Sequence, residues 1–149
     1  MKAQNKGVKK FDWIIHYCAN GIICADCGKV EYPFLDYVCN AHTHGMEKYG
    51  HPDFQIVLQL PQAEIAYILN ELGSRVRDGA QFQAGDLVER IFLDCLIRLD
   101  EAEETGRKVL RAVIPDKNNL FPEEKNCMEP CKLQLLPTEA LYRMHGVCS

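Results

Sequence analysis

The chain has 149 residues and a formal net charge of −4; hydrophobic residues make up 47% of it and charged residues 26%. This is the balance of an ordinary globular protein, and a chain this long buries enough surface to fold without a disulfide or a metal. No apolar run approaches the roughly 20 residues that a membrane-spanning helix needs. Composition therefore excludes the collagen-like, disordered, coiled-coil and membrane classes, and we expect one domain over 1–149 with a flexible tail at 1–10.

The distribution of charge and the start of the chain bear on partners and compartment. Nucleic-acid binding needs a basic face, and the only basic cluster is at the N-terminus, formed by Lys2, Lys6, Lys9 and Lys10. We therefore expect no nucleic-acid partner and no membrane, while a protein partner, a small molecule or a homo-oligomer stays open. The first seven residues lack the apolar core of a signal peptide, which predicts a cytoplasmic protein whose eight cysteines are reduced.

Three extended segments are predicted before the first helix. Residues 11–18 are rich in β-formers and predict a strand, and Asn20-Gly21 predicts a turn from which 22–24 starts a return strand. Residues 34–44 also look extended. In 54–60, apolar residues alternate with Gln55 and Gln59, which is typical of a strand with one buried face.

One strong helix is predicted over 61–78. Pro61 suits a first helical turn, because its missing N–H group costs nothing there. Gly79 suits the left-handed cap that ends many helices. Between them, apolar residues recur at helical spacing; they are Ile65, Ile68, Leu69, Leu72 and Val76.

The second half of the chain adds further strands. Residues 93–99 alternate between apolar and charged side chains, and 108–114 form an apolar β-like run. The acidic stretch 100–106 between them predicts a solvated hairpin loop. After Pro115 the chain is irregular, and 138–145 predicts a short helix capped by Thr138. Together these elements predict an α+β fold: a mostly antiparallel sheet, covered by one main helix at about 61–78, with an irregular C-terminal segment.

The sharpest chemical motif is Cys24-x2-Cys27, followed by Cys39 and His42. A Cys-x2-Cys turn aims two thiolates at one zinc ion, and a second pair completes a tetrahedral site. We therefore predict Zn(II) as the cofactor, if the protein has one. The alternative is that Cys39 is a buried strand residue and that the other two thiols are incidental. A redox pair is disfavoured because no helix follows Cys27.

Other histidines and cysteines offer alternative ligands. His42 and His44 project to the same face if their segment is extended, and same-face imidazoles are good metal ligands. A hydrogen-bonded polar turn explains them equally well. His51 lies seven residues beyond His44, and a second thiol pair is formed by Cys127 and Cys131.

Short motifs in a fixed order carry a family resemblance. They begin with 43–46 and 50–53, continue through the strand and helix at 54–78, and end with a scattered set: Gly79, Phe82, Gly85, Asp86, Asp116, Phe121 and Pro122. Over about residues 34–136 the chain resembles the bacterial family called domain of unknown function 4262. The resemblance implies a small cytoplasmic bacterial protein without an assigned activity, and it transfers no catalytic residue.

The chain departs from this family at the residues of greatest chemical interest. His42 and His44 stand where the family usually has Tyr and Val, and the Cys24/Cys27 pair is not a family feature. A metal site would therefore belong to a subgroup.

Two classes of function remain. The first is a non-enzymatic binding or accessory domain, with or without a Cys/His zinc site. It is favoured because the chain has no GxGxxG, P-loop or GxSxG motif and no defined acid–base partner. The alternative is a metal-dependent hydrolase that uses the His42/His44 cluster to activate water. The number of protein ligands on the metal separates the two, because a structural zinc has four and a catalytic zinc leaves one position open.

Overall fold

The computed structural model describes residues 11–19 and 34–142. Within them, six strands form one sheet in the order β1-β2-β3-β6-β5-β4. The strands are β1 (Ile14–Cys18), β2 (Val38–His44), β3 (Asp53–Leu58), β4 (Leu87–Val88), β5 (Ile97–Glu104) and β6 (Arg107–Val113). The main helix is α1 (Gln62–Arg77), and a one-turn helix, α2 (Glu129–Lys132), lies near the C-terminus. Short 3₁₀ helices span Met46–Tyr49, Leu133–Leu135 and Thr138–Leu141.

The sheet consists of two antiparallel halves joined by one parallel pair. β1, β2 and β3 pair antiparallel, as do β4, β5 and β6, and β3 runs parallel to β6 in the middle. A parallel pair needs a long crossover connection, and α1 lies in the connection between β3 and β6. The predicted α+β fold with a mostly antiparallel sheet and one main helix is confirmed.

Helix α1 covers one face of the sheet, which we call the helix face. The apolar stripe predicted from the sequence is buried there, against inward residues such as Phe54 and Ile56. Gly73 lets the helix approach Trp13 closely, because a Cβ at this position would lie 2.8 Å from Cζ2 of the indole. The indole N–H donates to Oδ1 of Asn70 at 2.8 Å. Trp13 therefore anchors the segment before β1 to the helix.

The opposite face, which we call the histidine face, is also covered in part. Residues 133–142, which we call the C-terminal segment, pack there. Leu141 of this segment belongs to a second apolar cluster that includes Val57. Five of the six residues of β3 are consequently buried, and Gln55 is fully buried. The prediction of one buried face for this strand was wrong, because sequence alternation does not reveal a second covering layer.

Several predicted boundaries differ in the structure. Residues 93–96 are not a strand, since β5 begins at Ile97 and the Leu93 side chain is exposed. The acidic stretch is not a loop but part of β5, because β6 places basic residues beside it; Glu103 pairs with Lys108, and only Thr105 and Gly106 form the turn.

The predicted ends of the chain differ as well. The element predicted at Thr138 is a 3₁₀ helix, and the Thr138 hydroxyl donates to the Glu103 carbonyl oxygen at 2.5 Å instead of capping the helix. The predicted tail at 1–10, the turn and return strand at 20–24, and 143–145 lie outside the described residues. Among those that are described, no helix is long and apolar enough to cross a membrane.

Candidate metal centre

Three histidines converge on the histidine face. His16 of β1 pairs directly with His42 of β2, and strand alternation places His44 on the same side. One ring nitrogen from each residue lies within 4.8 Å of the other two. The ring centroids are 4.6 Å apart for His16 and His44, 5.0 Å for His42 and His44, and 5.4 Å for His16 and His42. In the part of the chain that the structure describes, this is the only group of three or more His, Cys, Asp or Glu side chains close enough together to hold a metal ion.

The cluster is closed toward the sheet and open on its outer side. His42 is 3% exposed, while His16 and His44 are half-buried. Burial lowers the pKa of His42 to about 4, although the nearby Glu104 carboxylate acts in the opposite direction. Burial also lowers the pKa of His44, and the Arg107 charge adds to this. The two rings are therefore neutral at neutral pH and hold an unshared electron pair that can bind a cation.

Glu104 lies beside the buried histidine. Its Oε2 atom is 3.5 Å from Nε2 of His42, and its side chain is 7% exposed. Burial raises the pKa of Glu104, but hydrogen bonds from Thr105 and Arg107 and the positive charge of Arg107 act in the opposite direction, and the pKa lies below its usual value. A carboxylate thus faces a neutral imidazole, and both are electron-pair donors. A cation between or beside them would be attracted to both.

An ion-pair network holds Glu104 in place. Arg107 donates to Oε1 of Glu104 at 3.2 Å and to the Thr43 carbonyl oxygen at 2.8 Å, and it also pairs with Asp53. Asp53 is buried and accepts further hydrogen bonds from the Thr43 hydroxyl at 2.7 Å and the Met46 N–H at 3.0 Å. The end of the β5–β6 hairpin is therefore fastened to β2 next to the three rings.

Cys39 does not join this cluster. It lies on the helix face, in the core with Ala41, and its thiol is 3.7 Å from the Ile56 and Leu58 carbonyl oxygens. Burial raises the pKa of Cys39 to about 12, so it is a thiol and not a thiolate. Because residues three apart in a strand face opposite sides, Cys39 and His42 do not meet as the sequence-based zinc site requires. Cys24 and Cys27, the other two predicted ligands, lie outside the described residues.

The alternative ligands His51, Cys127 and Cys131 have structural partners. The His51 ring donates through Nδ1 to the Pro52 carbonyl at 2.8 Å, and its Nε2 accepts the Phe82 N–H at 2.9 Å. Both ring nitrogens are therefore used.

The thiol pair is buried near the C-terminus. The Cys127 thiol lies 3.5 Å from the Leu120 carbonyl oxygen, and the Cys131 thiol lies 3.0 Å from that of Ile114. Burial raises the pKa of Cys131 to about 12. Both cysteines therefore act as weak donors to the backbone.

His16 is the site residue that the sequence analysis did not select. It lies in the predicted strand 11–18, two residues before Cys18, and forms no recognised metal-binding motif there. Only the pairing of β1 with β2 places it beside His42. The available signal was that a histidine occurs in each of two predicted strands.

Comparison of the chain with protein-family models, curated proteins and solved structures finds no match. The resemblance to the family called domain of unknown function 4262 stays a prediction.

Proposed function

We propose that this protein is a metal-binding domain that holds one divalent transition-metal ion, zinc in the first place, with His16, His42 and His44. One observation supports the proposal above all: three imidazole rings on adjacent strands each bring a nitrogen within 4.8 Å of the other two. Neutral imidazole is a preferred ligand of zinc, copper, nickel and iron. Small side-chain rotations would bring the three nitrogens to the roughly 2.0–2.1 Å from zinc that such ligands adopt.

The charges around the rings favour a cation. Glu104 and Asp53 each carry a negative charge beside the cluster, while Arg107, which contacts both, carries one positive charge. These three described groups together carry one negative charge, although Arg107 acts more strongly on His44 than either carboxylate does. Burial lowers the pKa of His42 most strongly, and positive charge on His44, Arg107 or His16 would lower it further. A metal ion can therefore bind His42 and His44 as neutral rings.

The second candidate function is a metal-dependent hydrolase. Three protein ligands leave a position for water, as in catalytic zinc sites, and two of the rings are reached from solvent. Among the described residues, Glu104 lies 3.5 Å from His42 and would be the group that accepts a proton from such a water. The binding domain remains the leading proposal, because the main pockets formed by the described residues are lined by residues other than the three histidines.

Zinc titration of the reduced, metal-free protein tests the proposal. We expect one equivalent to bind, and we expect His16→Ala and His44→Ala to weaken binding by more than about 100-fold, because losing even a residue that only supports a ligand costs 10–100-fold. His51→Gln is the matched control and should bind zinc like the parent. Failure of the parent protein to bind zinc stoichiometrically would contradict the proposal.

Cobalt substitution distinguishes this site from the cysteine site predicted from the sequence. Co(II) held by three imidazoles gives visible absorption bands without the intense thiolate-to-metal band that cysteine ligands produce. The double variant Cys24→Ser/Cys27→Ser should leave the cobalt spectrum and the zinc affinity unchanged. A thiolate band that this double variant abolishes would assign the metal to Cys24 and Cys27 instead.

A further inference from the structure

A row of buried polar side chains crosses the histidine face from β2 to β6. Asn40, Gln55 and Arg111 are 4%, 0% and 3% exposed. Strand register places Gln55 beside His42 on one side and beside Arg111 on the other. Arg111 donates to Oε1 of Gln55 at 2.8 Å, Gln55 donates from Nε2 to Oδ1 of Asn40 at 3.0 Å, and that oxygen lies 3.1 Å from Nδ1 of His42. The row therefore links Arg111 to the metal centre through two side-chain amides.

The direction of every hydrogen bond in this row follows from its first member. An arginine guanidinium has donors only, so the Gln55 atom that faces Arg111 must be its carbonyl oxygen. The amide nitrogen of Gln55 must then face Asn40. Of the two polar atoms of the Asn40 side chain, only the oxygen can accept a hydrogen bond from it. An oxygen without a hydrogen can only accept, so Nδ1 of His42 must carry the proton. In a neutral ring the unshared electron pair is then on Nε2, the nitrogen that faces Glu104.

Arg111 is itself held so that it cannot turn away from Gln55. It donates to the Gln134 carbonyl oxygen at 2.9 Å, to the Leu136 carbonyl oxygen, and to the Thr138 hydroxyl at 3.1 Å. Gln55 also donates to the Thr138 hydroxyl, at 3.3 Å. The C-terminal segment thus supplies the acceptors that keep both Arg111 and Gln55 in one orientation.

We infer that Arg111 is a positioning residue for the metal centre, which fixes the tautomer of His42 through Gln55 and Asn40 so that Nε2 is available to bind the metal. This inference rests on the proposed function, and it assigns a role to a residue that does not touch the histidines. Metal-binding histidines commonly donate their second ring N–H to a neighbouring acceptor, which orients the ring and raises its basicity. Here the acceptor is an amide oxygen, and its orientation is imposed from two strands away.

Gln55→Glu reverses the direction of the hydrogen bonds that link residue 55, Asn40 and His42. Both ends of the new side chain accept, so Arg111 still has its partner, but the Asn40 amide must rotate and present its nitrogen to His42. The His42 proton then moves from Nδ1 to Nε2. We expect nitrogen-15 NMR of the metal-free protein to show His42 protonated on Nδ1 in the parent and on Nε2 in the variant.

Zinc affinity gives the second readout of the same variant. We expect Gln55→Glu to weaken zinc binding by about 10–100-fold, the usual cost of losing a residue that orients a ligand. The added negative charge by itself would strengthen the binding of a cation, so the two effects have opposite signs. Asn40→Asp is the matched control, because a carboxylate accepts from both Gln55 and His42; it should keep the Nδ1 proton and bind zinc at least as tightly as the parent.

The outcomes separate this inference from the proposal on which it rests. An unchanged His42 tautomer in Gln55→Glu, in a parent protein that binds zinc through its histidines, overturns the role of Arg111 and leaves the metal site standing. Absence of zinc binding by the parent protein overturns both. A changed tautomer together with weaker zinc binding supports both. Circular dichroism of each variant verifies that the fold is retained.

Discussion

At the scale of single residues, His42 is where burial and charge compete most directly. Its ring is 3% exposed, and burial lowers its pKa to about 4 even though Glu104 lies 3.5 Å away. An exposed histidine has a pKa of about 6.5. The folded protein therefore holds His42 neutral under conditions in which the unfolded chain begins to bind a proton there. A metal ion can bind such a ring without displacing a proton.

This difference predicts a loss of stability in weak acid. As the pH falls from about 6.5 toward 4, the unfolded state binds a proton at His42 and the folded state does not, so the free energy of unfolding decreases. Between pH 7 and pH 5 the metal-free protein should lose on the order of 1–2 kcal/mol. Burial lowers the pKa of His44 too, which adds to the loss. Urea unfolding with a chelator present measures the effect.

Glu104 does not cause the loss of stability between pH 7 and pH 5. Its pKa is lowered from an ordinary value of 4.5, so the stability it contributes is present above that value and is lost only in stronger acid. His42→Gln should therefore make the unfolding free energy less dependent on pH between pH 7 and pH 5, leaving only the part that His44 contributes. A parent protein whose unfolding free energy stays constant over that range would show that His42 is not held neutral by the fold.

At the scale of elements, α1 and the segment before β1 are in close contact at Gly73 and Trp13. Gly73 lies within the helix, where glycine is normally unfavourable by about 1 kcal/mol relative to alanine. A Cβ at this position would meet three atoms of the Trp13 ring, two of them at less than 3.0 Å. Trp13 is buried and donates to Asn70, so its ring cannot move aside easily. The helix therefore contains a residue of low helix propensity, because only glycine allows this close packing against Trp13.

Gly73→Ala should consequently destabilise the protein by about 1–3 kcal/mol, because overpacking outweighs the gain in helix propensity. In a Trp13→Leu background the obstructing ring is gone, and the same substitution should stabilise the protein. Urea unfolding followed by circular dichroism measures both, since Trp13 is the only tryptophan and its fluorescence is lost in that background. Stabilisation by Gly73→Ala in the parent protein would refute the close contact.

At the scale of the whole molecule, the sheet is covered differently on its two faces. The helix face is packed by apolar residues of α1, whereas the histidine face combines the polar row with the C-terminal segment. Gln134 joins that segment to the sheet, because it bonds to both backbone groups of Ile114. Its Oε1 accepts the Ile114 N–H at 2.8 Å, and its Nε2 donates to the Ile114 carbonyl at 2.7 Å. The Gln134 side chain thus makes the hydrogen bonds to the Ile114 backbone that a neighbouring strand would otherwise make.

Gln134→Leu should cost about 1–3 kcal/mol, because the buried Ile114 N–H loses its partner, while the Ile114 carbonyl keeps only the weak Cys131 thiol donor. The neighbouring Leu135→Ala is the control, since Leu135 is 48% exposed and surface changes stay within about 0.5 kcal/mol. Hydrogen exchange of the Ile114 amide should accelerate in Gln134→Leu alone. Equal stability of the two variants would show that the C-terminal segment is held by its apolar contacts and not by Gln134.

The features that the sequence by itself determined are those set by local periodicity. The apolar stripe and Pro61 placed α1 within a residue or two at each end. The alternation of residues 42–44 predicted that His42 and His44 share a face, and their rings are 5.0 Å apart. Both patterns depend only on the geometry of one element, with a period of 3.6 or 2.0 residues.

The features that only the tertiary structure decided depend on contacts between distant residues. Pairing of β1 with β2 brings His16 to the other two histidines, and the C-terminal segment buries the second face of β3. Lys108, opposite Glu103, lets an acidic stretch form a strand. The polar row to Arg111 spans three strands whose order no local pattern encodes. Periodicity tells which way a side chain points within its own strand, but its neighbours are set by which strands pair and what covers them.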